Sequence, residues 1–279
     1  MSKRWLIQIA LVLVIVFCSS CSNGDQPTST TTVRQSDFPV AEIENRLETK
    51  VPILEQTVEE VVYETSQVST PTVTPAPPVK EFLIDVPAMS QFPDYYNGCE
   101  ITSLAMLVNY LKLPFNRQEL IRMLVKDETP LQNAEDGSIE VWGDPDLGFV
   151  GDITGKKMGY GVYHKPIGDL LAQISNGHMV DLTGNEFTEI ERQISQGNPV
   201  VVWTTSNFTS VNNWVEWKSI DGRTIRATFE EHTVLLVGYD EEYVYINNPA
   251  NGEKAEKIAK QPFLESWTQL GQQAVSYAQ

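Results

Sequence analysis

Apolar residues recur at two different periods along this chain, and the order of those periods limits the fold. Ile101, Leu104, Ala105, Val108 and Leu111 fall at three- and four-residue steps, the spacing of one helical face. Asn116 with Glu119 is the signature of a capping box, which opens a second helix over 117–125. Residues 166–175 and 186–196 read as a third and a fourth helix, the last closed by Gly197. From 199 the pattern changes to strands. Residues 199–204 form a short apolar run, and 214–220 and 224–229 flank Asp221-Gly222, a strong hairpin turn. Residues 232–239 read as a buried strand, and 242–247 pairs with it through the Asp240-Glu241 turn. One further strand, 82–87, ends at Pro87. Helices first and strands second predict an α+β fold, with N-terminal helices packed on a C-terminal antiparallel sheet. Between 127 and 165 periodicity fades, and 142–151 is expected to be a long ordered loop.

The first 80 residues differ in kind. Lys3 and Arg4 precede an almost unbroken apolar run over 5–17, short for a membrane span and suited to an export signal. Ser19 and Ser20 then precede Cys21, which resembles a bacterial lipobox with Cys21 as the lipidated residue. Cys18 departs from the aliphatic residue usual three positions before the cut. An uncleaved N-terminal anchor is the competing reading. Residues 22–80, rich in Ser, Thr, Pro and acidic residues, are expected to be a disordered tether. The globular domain is expected over 81–279, long enough for a substantial core. A net charge of −17 argues against a nucleic-acid partner and suits an anionic cell surface. The expectation is a lipid-anchored protein of the cell membrane facing the extracellular side.

The chain has three cysteines, and after processing, with Cys21 lipidated, Cys99 is expected to have no free cysteine to pair with. Cysteine most often packs as a small core hydrophobe. Cys99, however, opens the first helix, where the helix dipole favours an anion and pushes a thiol toward thiolate. Gly98 beside it has no side chain to keep a substrate backbone away. Gln91, eight residues upstream, is placed to aim its amide N–H₂ at an oxyanion. A thiol nucleophile needs a base. Of the three histidines, His164 sits at a loop end and His178 in a turn, whereas His232 begins an apolar strand that would hold its ring rigidly. Asn247 and Asn248 end the neighbouring strand, and either is a candidate to orient the imidazole.

Taken in order, Gln91, Cys99, His232 and Asn248 resemble the site of papain-like cysteine peptidases. More closely they resemble the bacteriocin-processing, double-glycine-leader peptidases, in a free-standing lipoprotein-type form. The stretches carrying the resemblance are Val86-Pro87 with Gln91, Gly98-Cys99-Glu100, 148–151, 159–163, 197–200, 232–239 and Ile246-Asn247-Asn248-Pro249. It covers about residues 83–270 and implies a papain-like α+β fold. It also implies Cys99 as nucleophile, His232 as base and Gln91 as oxyanion donor. The family's third residue is commonly Asp and maps onto Asn248, so one charge is missing here. Leader-cleaving members are usually fused to a membrane transporter, which is not found in this chain. What carries over is therefore hydrolysis of a peptide or related amide, with a peptide or protein substrate.

Other chemistry is weaker. Asp144, Asp146 and Asp152 lack the spacing of a calcium loop and read as turn formers and helix caps. No zinc spacing or phosphate loop is present, so no metal or cofactor is expected. Trp203, Trp214 and Trp217 are expected as sheet aromatics rather than a cleft lining. Two alternatives stay open: a non-catalytic peptide- or wall-binding module on the same fold, and a cell-wall peptide amidase.

Overall fold

The computed structural model describes residues 79–278. The signal segment, Cys21 and nearly all of the 22–80 tether lie outside the described residues. In chain order the elements are β1 (Phe82–Leu83), α1 (Cys99–Tyr110), α2 (Arg117–Met123), β2 (Lys126–Asp127), β3 (Gln132–Asn133), β4 (Ile139–Val141), β5 (Phe149–Gly151) and β6 (Gly159–Gly161). Then come α3 (His164–Ile174), β7 (Val180–Asp181), α4 (Phe187–Ser195), β8 (Val200–Thr205), β9 (Val215–Lys218), β10 (Thr224–Ala227), β11 (Glu231–Tyr239), β12 (Tyr243–Asn248), β13 (Glu253–Ala259), α5 (Lys260–Gln269) and β14 (Ala274–Ser276). No helix among the described residues is long and apolar enough to cross a membrane.

The main sheet runs β13-β12-β11-β8-β14-β7, with every neighbouring pair antiparallel and β1 paired to Gly238 and Tyr239 of β11. Val200, Val201, Val202 and Trp203 of β8 are fully buried because both faces of that strand are covered, by α1 and α5. Each such valine contributes about 1.5–3 kcal/mol of transfer free energy. That is why the strand is a continuous apolar run rather than an alternating one. The Trp203 indole N–H is satisfied by the Val162 carbonyl at 2.9 Å.

The α1 spacing predicts one buried face, but the structure buries all of 99–108. This helix is the centre of the domain, packed between the sheet and α2 and α3. Its polar residues are tied down accordingly. Ser103 Oγ donates to the Thr233 carbonyl at 3.0 Å, and Tyr110 OH donates to the Gly197 carbonyl at 2.9 Å. The Asn116–Glu119 capping box is present and opens α2, which stops at Met123 rather than 125.

The aperiodic stretch 127–165 holds β3 to β6, with β5 inside the 142–151 expected as loop, and completes two small sheets, β2-β5-β6 and β10-β9-β4-β3. These strands are two or three residues long, too short to show a period. A second core of Trp142, Val150, Tyr160, Trp217, Ile225 and Ala227 holds the region together. Of the three tryptophans expected as sheet aromatics, Trp217 is buried here and Trp203 in the main sheet. Trp214 instead has the Arg226 guanidinium over its ring at 3.9 Å.

Candidate active site

Cys99 is the first residue of α1, with Gly98 as N-cap. The space at Gly98 belongs to the fold rather than to a substrate, because a Cβ there would lie 2.7 Å from Cβ of Tyr95. The thiol is 7% exposed and points inward. Its Sγ donates to Glu100 Oε2 at 3.4 Å, and the sulfur, Glu100 and Glu231 bring their polar atoms within 4.8 Å of one another. Burial, then the Glu100 and Glu231 charges, push the thiol well above its ordinary value, against a weaker pull from a backbone hydrogen bond at Thr233. The sequence-based expectation of a depressed thiol therefore does not describe this resting arrangement. A helix N-terminus is worth only about 0.3–1 kcal/mol in ordinary settings. Desolvation beside two carboxyls outweighs it.

Glu100, fully buried, and Glu231, half-buried, form a carboxyl pair. Glu100 Oε1 accepts the Val162 N–H at 2.7 Å, and Glu231 Oε1 accepts the Thr233 hydroxyl at 2.8 Å. Gly161 is required here: its φ is +147°, and a Cβ would collide with Glu100 Oε1. Burial raises the Glu100 carboxyl to about 7, and Glu231 is also raised, by burial first and Glu100 second. Like charges this close resist joint ionisation, so the pair favours sharing a proton. Both Glu100 oxygens are committed to hydrogen bonds within the chain, the bonding pattern of a structural carboxyl rather than of an open metal ligand set.

His232 is the second residue of β11, next to Glu231. Its Nε2 bonds Asn248 Oδ1 at 2.9 Å at the end of β12. An amide oxygen only accepts, so Nε2 carries the proton and Nδ1 of the neutral ring is left with its lone pair. Burial lowers the imidazole below its ordinary value, while the Asn248 bond and the Glu256 charge act upward. The neighbouring Asn247 has a different task. Its Nδ2 donates to the Val86 carbonyl at 2.9 Å, and its Oδ1 accepts the Ala255 N–H at 2.9 Å. Of the two asparagines it is thus Asn248 that touches the imidazole. Asn248 Nδ2 donates in turn to Glu256 Oε2 of β13 at 2.7 Å.

Both halves touch β11, and the thiol bonds Glu100 rather than the His232 imidazole. Ser103 of α1 bonds Thr233, and the Cys99 sulfur lies beside Glu231 and Thr233, the residues on either side of His232. Gln91 is 5% exposed and tied to the same corner, since its backbone N–H donates to the Pro249 carbonyl at 2.8 Å. One of its two amide hydrogens is used on the Tyr96 carbonyl at 2.6 Å, and its buried Oε1 has no partner. The second amide hydrogen remains available. Phe208 covers His232 at 6.3 Å between ring centroids.

The other sequence candidates settle elsewhere. His164, expected at an exposed loop end, is the first residue of α3 and bonds Gln273, with Asp181 3.5 Å from its Nε2. His178 stacks on Tyr277 at a turn. Asp144, Asp146 and Asp152 are turn formers: Asp144 accepts the Asp146 N–H and pairs with Arg223, and Asp152 accepts the Thr154 and Lys157 N–H groups. A cavity of about 770 Å³ beside β2 and β5 is lined by Lys126, Trp142, Lys156 and Met158 among others, and by none of Gln91, Cys99, His232 and Asn248.

Comparison with known proteins agrees with this architecture. Residues 83–275 match the model of the Peptidase_C39 like family. An uncharacterized protein of Bacillus subtilis (strain 168), YvpB, is 42% identical over 183 residues, covering 66% of this chain and 70% of its own. A crystal structure from Bacillus anthracis, described as that of a candidate C39-like peptidase, superposes with a TM-score of 0.65 at 34% identity. It covers 72% of this chain and 98% of its own. The α+β fold is therefore papain-like, as the sequence resemblance implies, and the chain belongs to the Peptidase_C39 like family.

Proposed function

We propose that this chain is a cysteine peptidase of the extracellular face of the membrane, held there by lipid on Cys21. Cys99 is its nucleophile and His232 its base, with Asn248 as orienter and Gln91 as oxyanion donor. The observation that carries this reading is the His232–Asn248 hydrogen bond on the strand against which the Cys99 thiol rests. It leaves Nδ1 of a neutral imidazole free to take the thiol proton. In the reaction, that proton moves to Nδ1 and the sulfur attacks the substrate carbonyl. The oxyanion is held by the Cys99 backbone N–H and the spare amide hydrogen of Gln91. The imidazolium then protonates the leaving amine, and water hydrolyses the thioester to regenerate the thiol. Before attack, the sulfur must turn away from Glu100 Oε2, so the thiol described here is a resting state. Family membership supports a peptidase and leaves the substrate open.

The test is labelling of the full chain with a thiol-directed active-site probe, followed by digestion of casein-derived peptides and of purified wall peptides. Probe labelling and peptide cleavage that both vanish in Cys99→Ala support the reading. Cleavage of wall peptides alone makes the chain a cell-wall peptide amidase. A chain that binds wall peptides, takes up no probe and cleaves nothing is a binding module.

A further inference from the structure

Asn248 has a neighbour that fixes its orientation. The two ends of the Asn248 amide are held by opposite partners. Oδ1 accepts His232 Nε2–H at 2.9 Å and the Ala250 N–H at 3.0 Å. Nδ2 donates to Glu256 Oε2 at 2.7 Å. Turning the amide over would set its N–H₂ against two donors and its oxygen against a carboxylate, so Glu256 fixes which end meets the imidazole. Glu256 is itself held, because Asn251 Nδ2 also donates to Oε2, at 3.2 Å. The side chain reaches Asn248 because the β12–β13 register shifts between Ile246, opposite Glu256, and Asn248, opposite Glu253.

We propose that Glu256 is a positioning residue for His232, acting through Asn248: it locks the amide and supplies, one residue further out, the negative charge that an aspartate at 248 would carry. The inference rests on His232 acting as the base of the site. An aspartate at 248 would set two carboxylates at hydrogen-bond distance, where one must give up its charge. Asparagine is the residue that fits between an imidazole and a carboxylate. The direction of the imidazole shift agrees, since Glu256 acts to raise it against burial. The other charged groups at this corner are Glu253, exposed across the ladder from Asn248, and the Glu100–Glu231 pair beside the thiol.

The experiment follows the His232 imidazole by NMR titration in the full chain carrying Cys99→Ala, so that no turnover is needed and the result does not depend on the substrate. Glu256→Gln keeps an acceptor for Asn248 Nδ2 and removes only the charge. It should lower the His232 pKa, and Glu256→Asp should restore it toward the parent value. Asn248→Asp alone should lower the melting temperature, and adding Glu256→Gln should recover it. In the Cys99-containing chain, Glu256→Gln should slow iodoacetamide alkylation of Cys99 several-fold on the acid side of neutrality. An unchanged His232 titration in Glu256→Gln, or equal tolerance of Asn248→Asp with and without that change, overturns the proposal. Absence of probe labelling in the parent chain would instead count against the peptidase reading, so the two failures are distinguishable.

Discussion

Replacing Glu100 by glutamine should remove the pH dependence that this residue imposes on stability. The carboxyl is fully buried in α1, and its proton is held to about pH 7 instead of 4.5. Below pH 4.5 both the folded and the unfolded chain carry that proton. Between 4.5 and 7 the unfolded chain releases it while the folded chain keeps it, so the folded state loses ground as pH rises, and the loss is complete above 7. At about 1.36 kcal/mol per pH unit over that interval, the loss is about 3 kcal/mol. A domain of this size holds about 5–15 kcal/mol in all. Glutamine can still accept the Val162 N–H through its own oxygen, and it carries no charge at any pH. Urea unfolding of both chains from pH 4 to 8 should show Glu100→Gln gaining on the parent by about 3 kcal/mol across that range. Asp136, Asp221 and Asp240 have depressed carboxyls, whose stabilisation is lost as pH falls. They are common to both chains and drop out of the difference. Parallel curves for the two chains would falsify the buried-carboxyl argument. The same substitution removes a charge that raises the thiol, so Cys99 should be alkylated faster at pH 8 than in the parent.

Further outcomes follow from the proposed site. His232→Ala should slow alkylation of Cys99 by removing its proton acceptor, and Asn248→Ala should do so less; equal rates in all three chains count against the thiol–imidazole couple. Gln91→Ala should leave alkylation nearly unchanged while cutting turnover by about 10²–10³, because an oxyanion donor acts on the transition state. A parallel loss of both would make Gln91 a structural residue. Cys21→Ala should abolish metabolic lipid labelling and release the protein from the membrane fraction, and labelling that persists would disprove the anchor.

The parts of this molecule that were legible in the sequence are those whose residues act locally. Asn116 and Glu119 are three residues apart, and their capping box needs nothing else to form. Asp221-Gly222 turns the β9–β10 hairpin with Gly222 at a φ of +88°. The β8 and β11 runs announce buried strands because both faces are covered. What stayed hidden depends on distant partners. β3 to β6 are too short for periodicity and exist through the second core around Trp142 and Trp217. β13, with sequence Glu-Lys-Ala-Glu-Lys-Ile-Ala, has the composition of a helix and is an edge strand because β12 supplies its hydrogen bonds. Pro262, near the start of α5, hides a helix that tolerates it in the first turn. β14 is a three-residue strand that β8 and β7 hold between them.

The same distinction separates the site residues that could be found from those that could not. Cys99 begins a helix and His232 sits one residue into a strand, positions visible in one dimension. Choosing Asn248 over Asn247 needed the folded sheet, because adjacent strand residues face opposite sides of it and only the structure shows which one shares the imidazole's face. Glu100, Glu231 and Glu256 gave no such signal, and in a chain of net charge −17 another glutamate draws no notice. One clue was present: Glu100 follows the cysteine inside a segment that is otherwise apolar or small. A charged side chain there must either face solvent or hold a buried hydrogen bond. With α1 buried around its whole circumference, solvent was never available to it. That forced Glu100 inward onto the Val162 N–H and the thiol, where its charge opposes the ionisation of the cysteine it accompanies.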